Sequence, residues 1–226
     1  MLRQINEFGT QKLAYDLNVR DIIGSLYQLE RPRAGNAYLI ELDDRSVLVD
    51  TGLPSSAGAV VSELAGARIR PITDIVLTHY DADHMGGAAA VQNATGARVW
   101  LGAADIAIVR REAAPSTRMR RWMLNSGFLG RADLPEFTEL PDHDEVEIAP
   151  GVTAVPAPGH TPGHHVVRWS GVAFIGDAAR ISRGRLVRLP NFLTSTRPQA
   201  EMTIQAITAS HPRLVCPGHG RPGPLK

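Results

Sequence analysis

Ile75-Val76-Leu77 runs directly into Thr78-His79-Tyr80-Asp81-Ala82-Asp83-His84-Met85-Gly86-Gly87. A short, β-branched apolar run of this kind reads as a buried strand rather than a helix. Just beyond it, four groups able to ligate a metal fall within six residues. In extended backbone alternate side chains share a face, so His79, Asp81 and Asp83 are expected to point the same way. His84 follows where the chain turns into the next helix and can swing toward the same space. Gly86 and Gly87 remove the Cβ atoms that would crowd that turn. The fold must therefore bring a strand end and a helix start together at one polar point.

Three more segments repeat the arrangement. Pro158-Gly159-His160-Thr161-Pro162-Gly163-His164 sets a histidine in a rigid turn before an apolar run. Phe174-Ile175-Gly176-Asp177 places a carboxylate at a strand end, and Cys216-Pro217-Gly218-His219-Gly220 places a histidine there. A lone His or Asp is usually a surface residue. Several of them in strand-terminal loops are what a layered sheet fold gathers into a site. Imidazole and carboxylate donors together suit zinc, iron or manganese.

The rest of the chain supplies the layers. Strands are expected at Ser25–Glu30, Ala37–Glu41, Ser46–Asp50, Ala97–Leu101, Glu145–Ile148, Val152–Val155, His165–Trp169, Val172–Ile175 and Leu214–Cys216. Helices are expected at Ser55–Ala65, with Ser55 or Ser56 as N-cap, at His84–Thr95 and at Pro198–Ser210. Strands, then β-α units, then strands and β-α again read as two similar halves. They are joined by the arginine-rich stretch Ala103–Arg131. No low-complexity linker separates them, so residues 1–226 are expected to form a single domain, with a lid or insertion at about 103–131.

Composition excludes several alternatives. The net charge of +1 argues against nucleic-acid binding through bulk basicity, and 43% hydrophobic with 21% charged residues is globular. No apolar run is long enough for a membrane span. The start, Met1 to Glu7, has no apolar core of a signal peptide, and Cys216 has no internal partner, so a cytoplasmic location is expected. Lys12 and Lys226 are the only lysines, leaving arginine as 22 of the 24 basic residues.

These motifs resemble the metallo-β-lactamase superfamily, from Leu48-Val49-Asp50-Thr51-Gly52 to His219. The resemblance implies an α+β fold, a four-layer αββα sandwich of two related halves. It also implies a binuclear metallohydrolase, with two divalent ions, zinc first and iron or manganese as alternatives. On that correspondence His79, Asp81 and His160 hold one metal, Asp83, His84 and His219 the other, and Asp177 bridges them. Asp81 stands where the family usually has a second histidine, which should make bound water less acidic. Asp50 corresponds to a buried supporting aspartate. His164 could hold a ligand by hydrogen bond.

The implied chemistry is hydrolysis of a small ester, thioester or lactone by a metal-bound hydroxide, with Asp83 orienting the nucleophile and handling its proton. A non-hydrolytic iron oxygenase of a persulfide or thiol, and a non-catalytic metal-binding protein, are the alternatives. A nuclease would need an added domain, and a glyoxalase II enzyme a helical C-terminal domain, whereas seven residues follow His219. Arg110, Arg111, Arg118, Arg120, Arg121 and Arg131, with Arg180, Arg183, Arg185 and Arg188, could favour an anionic small-molecule substrate. Trp122, Phe128 and Leu129 could wall a pocket, although no substrate-binding residue is assigned. The oligomeric state is left open, a homodimer included.

Overall fold

The strands sort their side chains by strict alternation, and the alternation builds the layers. In the computed structural model, which describes residues 2–5, 11–13, 24–125 and 134–226, the first sheet contains eight strands. They are β1 (Leu2–Ile5), β2 (Gln11–Leu13), β3 (Leu26–Leu29), β4 (Tyr38–Glu41), β5 (Ser46–Val49), β6 (Ile72–Val76), β7 (Arg98–Gly102) and β8 (Phe137–Leu140). Their order is β2-β1-β3-β4-β5-β6-β7-β8. Leu39, Leu48, Ile75, Val99 and Leu101 face outward onto helices, while Tyr38, Ile40, Val47, Val49, Val76 and Trp100 face the second sheet. Period-two alternation with both faces apolar is the pattern of a sheet covered on both sides.

The second sheet has the order β15-β12-β11-β10-β9. It comprises β9 (Val146–Ala149), β10 (Val152–Pro156), β11 (His165–Trp169), β12 (Val172–Gly176) and β15 (Leu214–Pro217), with a separate hairpin of β13 (Arg180–Ser182) and β14 (Arg185–Val187). Val167, Val172, Phe174, Leu214 and Cys216 point into the layer between the sheets. Val166, Ala173, Ile175 and Val215 point out under helix α6 (Arg197–Ala209), which presents Ile207 to them.

Helices α1 (Ala57–Gly66), α3 (Ala88–Thr95) and α4 (Ala103–Val109) contribute Val60, Leu64, Val91, Ile106 and Ile108 to the outer layer of the first sheet. The result is the expected αββα sandwich. Within each half antiparallel strands precede a parallel pair joined through a helix: β5 and β6 by α1, β12 and β15 by α6. Among the described residues no helix is long and apolar enough to cross a membrane.

Phe174, 1% exposed, sits at the centre of the inter-sheet layer and contacts the Tyr38 ring. Phe174→Ala is expected to lower stability by roughly 3–5 kcal/mol through the cavity it leaves, read as a shift of the urea unfolding midpoint at unchanged slope.

One expectation is corrected. The helix expected at His84–Thr95 is two, α2 (Ala82–Met85) and α3. The break falls at Gly86-Gly87, where a Cβ on Gly86 would collide with Pro54 and the Ala82 carbonyl. The arginine-rich stretch begins as α4, a core-packed helix of the sandwich, and continues as α5 (Arg118–Asn125). Phe128, Leu129 and Arg131 lie outside the described residues. Trp122 is 67% exposed and contributes nothing to a core.

Candidate metal centre

The segment after β6 bends sooner than the sequence suggests. Asp81 is extended (φ −63°, ψ 143°) at the N-cap position of α2, with no capping bond from its side chain, so His79 and Asp81 keep the alternation, but Asp83 already lies in the first helical turn beside His84. That turn divides the motif between two groups. Ligand atoms of His79, Asp81 and His160 lie within 4.8 Å of one another, and so do those of Asp83, His84 and His219. A third set, His79, His84 and Asp177, overlaps both. Asp177, at the end of β12, stands between them. One oxygen is 3.5 Å from His84 Nε2, and the other is 3.3 Å from His219 Nε2 and 3.7 Å from His160 Nε2. All seven side chains named from the sequence therefore converge at one end of the sandwich.

The histidines are aimed by what holds their other nitrogens. His84 Nδ1 is 2.8 Å from Asp50 Oδ2, and His219 Nδ1 is 3.0 Å from the Ala34 carbonyl. Thr78 Oγ1 is 3.0 Å from His79 Nδ1. In each case Nε2 is turned toward the cluster, the arrangement that orients metal-binding imidazoles. The Nε2 atoms of His79 and His84 are buried with no hydrogen-bond partner. A buried polar atom left unpaired costs free energy, so these two nitrogens fit a cation between them and the carboxylates. Asp50 also accepts from the Thr78 N–H at 2.8 Å and the Thr78 hydroxyl. The His219 loop is tied down by Asn36 and Tyr38, which both donate to the Pro217 carbonyl. Gly218 leaves the space the cluster needs: a Cβ there would lie 2.5 Å from both Asp177 Oδ1 and His84 Cε1. Gly218→Ala is expected to weaken metal binding at least tenfold by pushing these ligands apart, as perturbing ligand support does, measured by chelator competition.

Charges in the centre are strongly coupled. Burial opposes ionisation of Asp177, but the facing His84, His219 and His160 hold its carboxyl well below the usual range. Burial likewise opposes the charge on His84, yet Asp50 and Asp177 raise it to about 9. Hydrogen bonds to Asp177 and Asp83 raise His219 to about 10. His160 is pushed down to about 4, chiefly by burial.

His164 does not support a ligand by hydrogen bonding. Its ring stacks on His79 at 5.2 Å, and neither of its nitrogens has a partner. Burial holds it far below the usual histidine range, so it packs as a neutral ring.

Two residues that the sequence reading did not single out as members of the centre belong to its frame. Asp105, fully buried in α4, accepts from the Tyr80 N–H (3.2 Å), the Thr161 hydroxyl (2.7 Å) and the Gly163 N–H (2.8 Å). It thus staples the His79 loop to the His160 loop, and burial raises its carboxyl to about 6. An acidic residue beside the apolar run Ile106–Val109 was the available signal, since a buried carboxylate must find partners. Asp105→Ala is expected to destabilise the protein by about 2–4 kcal/mol, because it leaves buried donors unpaired. Thermal denaturation of the two proteins checks it.

Arg120, on α5, is the other. It is 2% exposed and turns into the centre, where it donates to Asp81 through Nε to Oδ1 (2.8 Å) and Nη2 to Oδ2 (2.8 Å). Burial opposes ionisation of Asp81, but the surrounding His160, His79 and Arg120 hold its carboxyl well below the usual carboxylate range. The neighbouring Arg118 and Arg121 are exposed, as are Arg180, Arg183 and Arg185 beyond Asp177. Arg188 instead donates to the Leu189 carbonyl and Asn191.

Fold and cluster together define a class, αββα sandwiches with a His/Asp centre at the ends of the sheets. A model of the metallo-beta-lactamase superfamily matches residues 31–219, and the chain belongs to that superfamily. It is 33% identical to a hydroxyacylglutathione hydrolase of Cereibacter sphaeroides over 72% of this chain and 54% of the relative. It is 27% identical to the probable metallo-hydrolase YflN of Bacillus subtilis, over 83% of this chain and 81% of the relative. The chain spans about half the length of the hydroxyacylglutathione hydrolases it matches, 44% and 54% of the first two. A metallo-beta-lactamase family protein of Thermus thermophilus superposes with a TM-score of 0.68 at 25% identity, covering 89% of this chain and 75% of that one.

Proposed function

We propose that this chain is a metal-dependent hydrolase of a small ester, thioester or lactone, with zinc as its resident ion. The observation that carries the reading is the pair of unpartnered, buried Nε2 atoms on His79 and His84, facing Asp177, Asp83 and His219. Asp83, His84, His219 and Asp177 would hold one ion, and His79, Asp81 and His160, with Asp177 bridging, would offer a second position. Two imidazoles with carboxylates at each position fit zinc, with iron or manganese as the other candidates. The kinship with hydroxyacylglutathione hydrolases favours a thioester among the three substrate types.

When bound, the metal lowers the pKa of water toward neutral and polarises the acyl oxygen of the substrate. The chain's own side chains do the rest. His79 and His84 are wholly buried, whereas the side chain of His219 is 43% exposed and that of Asp83 25%. Substrate therefore reaches the centre over His219 and Asp83. There Asp83 would orient the attacking water and hold the proton released from it, a carboxylate acting as general base.

Asp83→Asn tests the assignment on a panel of ester, thioester and lactone substrates, with metal content measured in parallel. The expected result is a loss of turnover on the order of 10² or more, the usual weight of a general base. Full turnover with full metal content would remove Asp83 from the mechanism.

A further inference from the structure

We propose that Arg120 is a built-in competitor for the metal position at His79, Asp81 and His160. On this view the guanidinium and an ion bound by His160 exclude one another, and the chain holds one ion tightly and a second only weakly. This rests on reading the two clusters as metal positions.

The geometry around Arg120 is specific. Its Nη2 lies 2.8 Å from Asp81 Oδ2 and also 2.8 Å from His160 Nε2. A guanidinium only donates, so in this contact His160 accepts through the single lone pair of Nε2, the nitrogen that also lies 3.2 Å from Asp81 Oδ2. The same lone pair would have to ligate the ion. Nη1 donates to the His160 carbonyl at 3.0 Å, so the arginine is anchored to the backbone of the loop as well as to its ring. Asp81 gives both carboxylate oxygens to the arginine. Two of the three donors of this position are thus already committed to a cation. Arg120 contacts none of Asp83, His84, His219 and Asp177 in the hydrogen bonds and ion pairs described, so that position keeps its donors.

Charge points the same way. A divalent ion at the first position would sit a few ångströms from a buried, fixed positive charge, and such repulsion is weakly screened in the interior. A carboxylate in the motif place of a histidine, paired with an arginine from a segment 39 residues away, behaves as one unit: the pair supplies a cation where an ion would otherwise go. A purely structural ion pair would not need the imidazole nitrogen, and buried pairs are in any case poor sources of net stability.

The test is zinc titration of chelator-stripped protein, with a competing chromogenic chelator and direct metal analysis. In the unaltered chain the second equivalent should bind on the order of 100-fold more weakly than the first, a gap set by charge repulsion and the lost imidazole. Arg120→Met keeps the bulk and removes the donors, and it should close that gap at least tenfold. A double variant, Asp81→His with Arg120→Met, relieves the carboxylate left unpaired and should bind two equivalents with similar affinity. Cobalt substitution gives a second readout, since at two equivalents of cobalt the absorption of the second ion should be strong in the variants and weak in the unaltered chain. Two equally tight equivalents in the unaltered chain would overturn the inference. So would an unchanged or weakened second equivalent in both variants. If none of the three proteins retained zinc at all, the metal-centre reading itself would fall with it.

Discussion

Asp177→Ala is expected to strip the protein of metal during purification and to reduce hydrolysis on the order of 10³-fold. The figure is what several kcal/mol of metal-derived charge stabilisation are worth in rate. Asp177 faces both clusters, with one oxygen toward His84 and the other toward His160 and His219. Its carboxyl is held well below the usual range by those histidines, so it is anionic at any working pH. Removing it takes away the carboxylate that His84, His160 and His219 share and leaves each with only its own partner, Asp50, Asp81 or Asp83. Asp177→Asn keeps the shape but halves the oxygen donors, so it should retain part of the metal and lose most of the rate. Metal analysis beside turnover separates the two effects. An alanine variant that keeps full metal and full rate would show that Asp177 holds nothing.

Asp50 carries the second large expected effect. It sits at φ 60°, a left-handed conformation that Asp tolerates better than most residues. From there its carboxylate accepts from the Thr78 N–H and hydroxyl and pairs with His84 Nδ1. Asp50→Ala is expected to cost 10- to 100-fold in metal affinity, the usual weight of a group that orients a ligand. Roughly 2–4 kcal/mol of stability should go with it, since a buried N–H and an imidazole lose their partner. Asp50→Asn separates orientation from stability. Its amide would donate to His84 Nδ1, which forces the histidine proton onto Nε2, the atom that must be bare to ligate. The Asn variant should therefore remain nearly as stable as the unaltered protein and still lose metal affinity. Equal metal affinity in the Asn variant would contradict the assigned tautomer.

The sandwich was legible because its strands carry apolar residues on both faces. Val47-Leu48-Val49 and Val172-Ala173-Phe174-Ile175 divide cleanly between neighbouring layers. The strands that escaped notice are polar or half-exposed. Phe137–Leu140 is an edge strand with only Leu140 fully buried. The hairpin of β13 and β14 was hidden in an arginine cluster, although Arg183 and Gly184 both take positive φ, as a tight two-residue turn requires. The seven clustered His and Asp were legible because each borders a strand end, where local sequence reports position. Asp105 and Arg120 were not, because what defines them is a contact with residues 25 to 58 positions away. Arg120, one of the arginines whose number points to an anionic substrate, is spent inside the centre.

The most direct measurement is turnover of chelator-stripped protein on an acyl-glutathione thioester as zinc is added back. No detectable hydrolysis is expected in the stripped protein, with recovery that tracks bound zinc. Full turnover without metal, or no turnover of thioester, ester or lactone at any zinc loading, would contradict the assignment of a metal-dependent hydrolase.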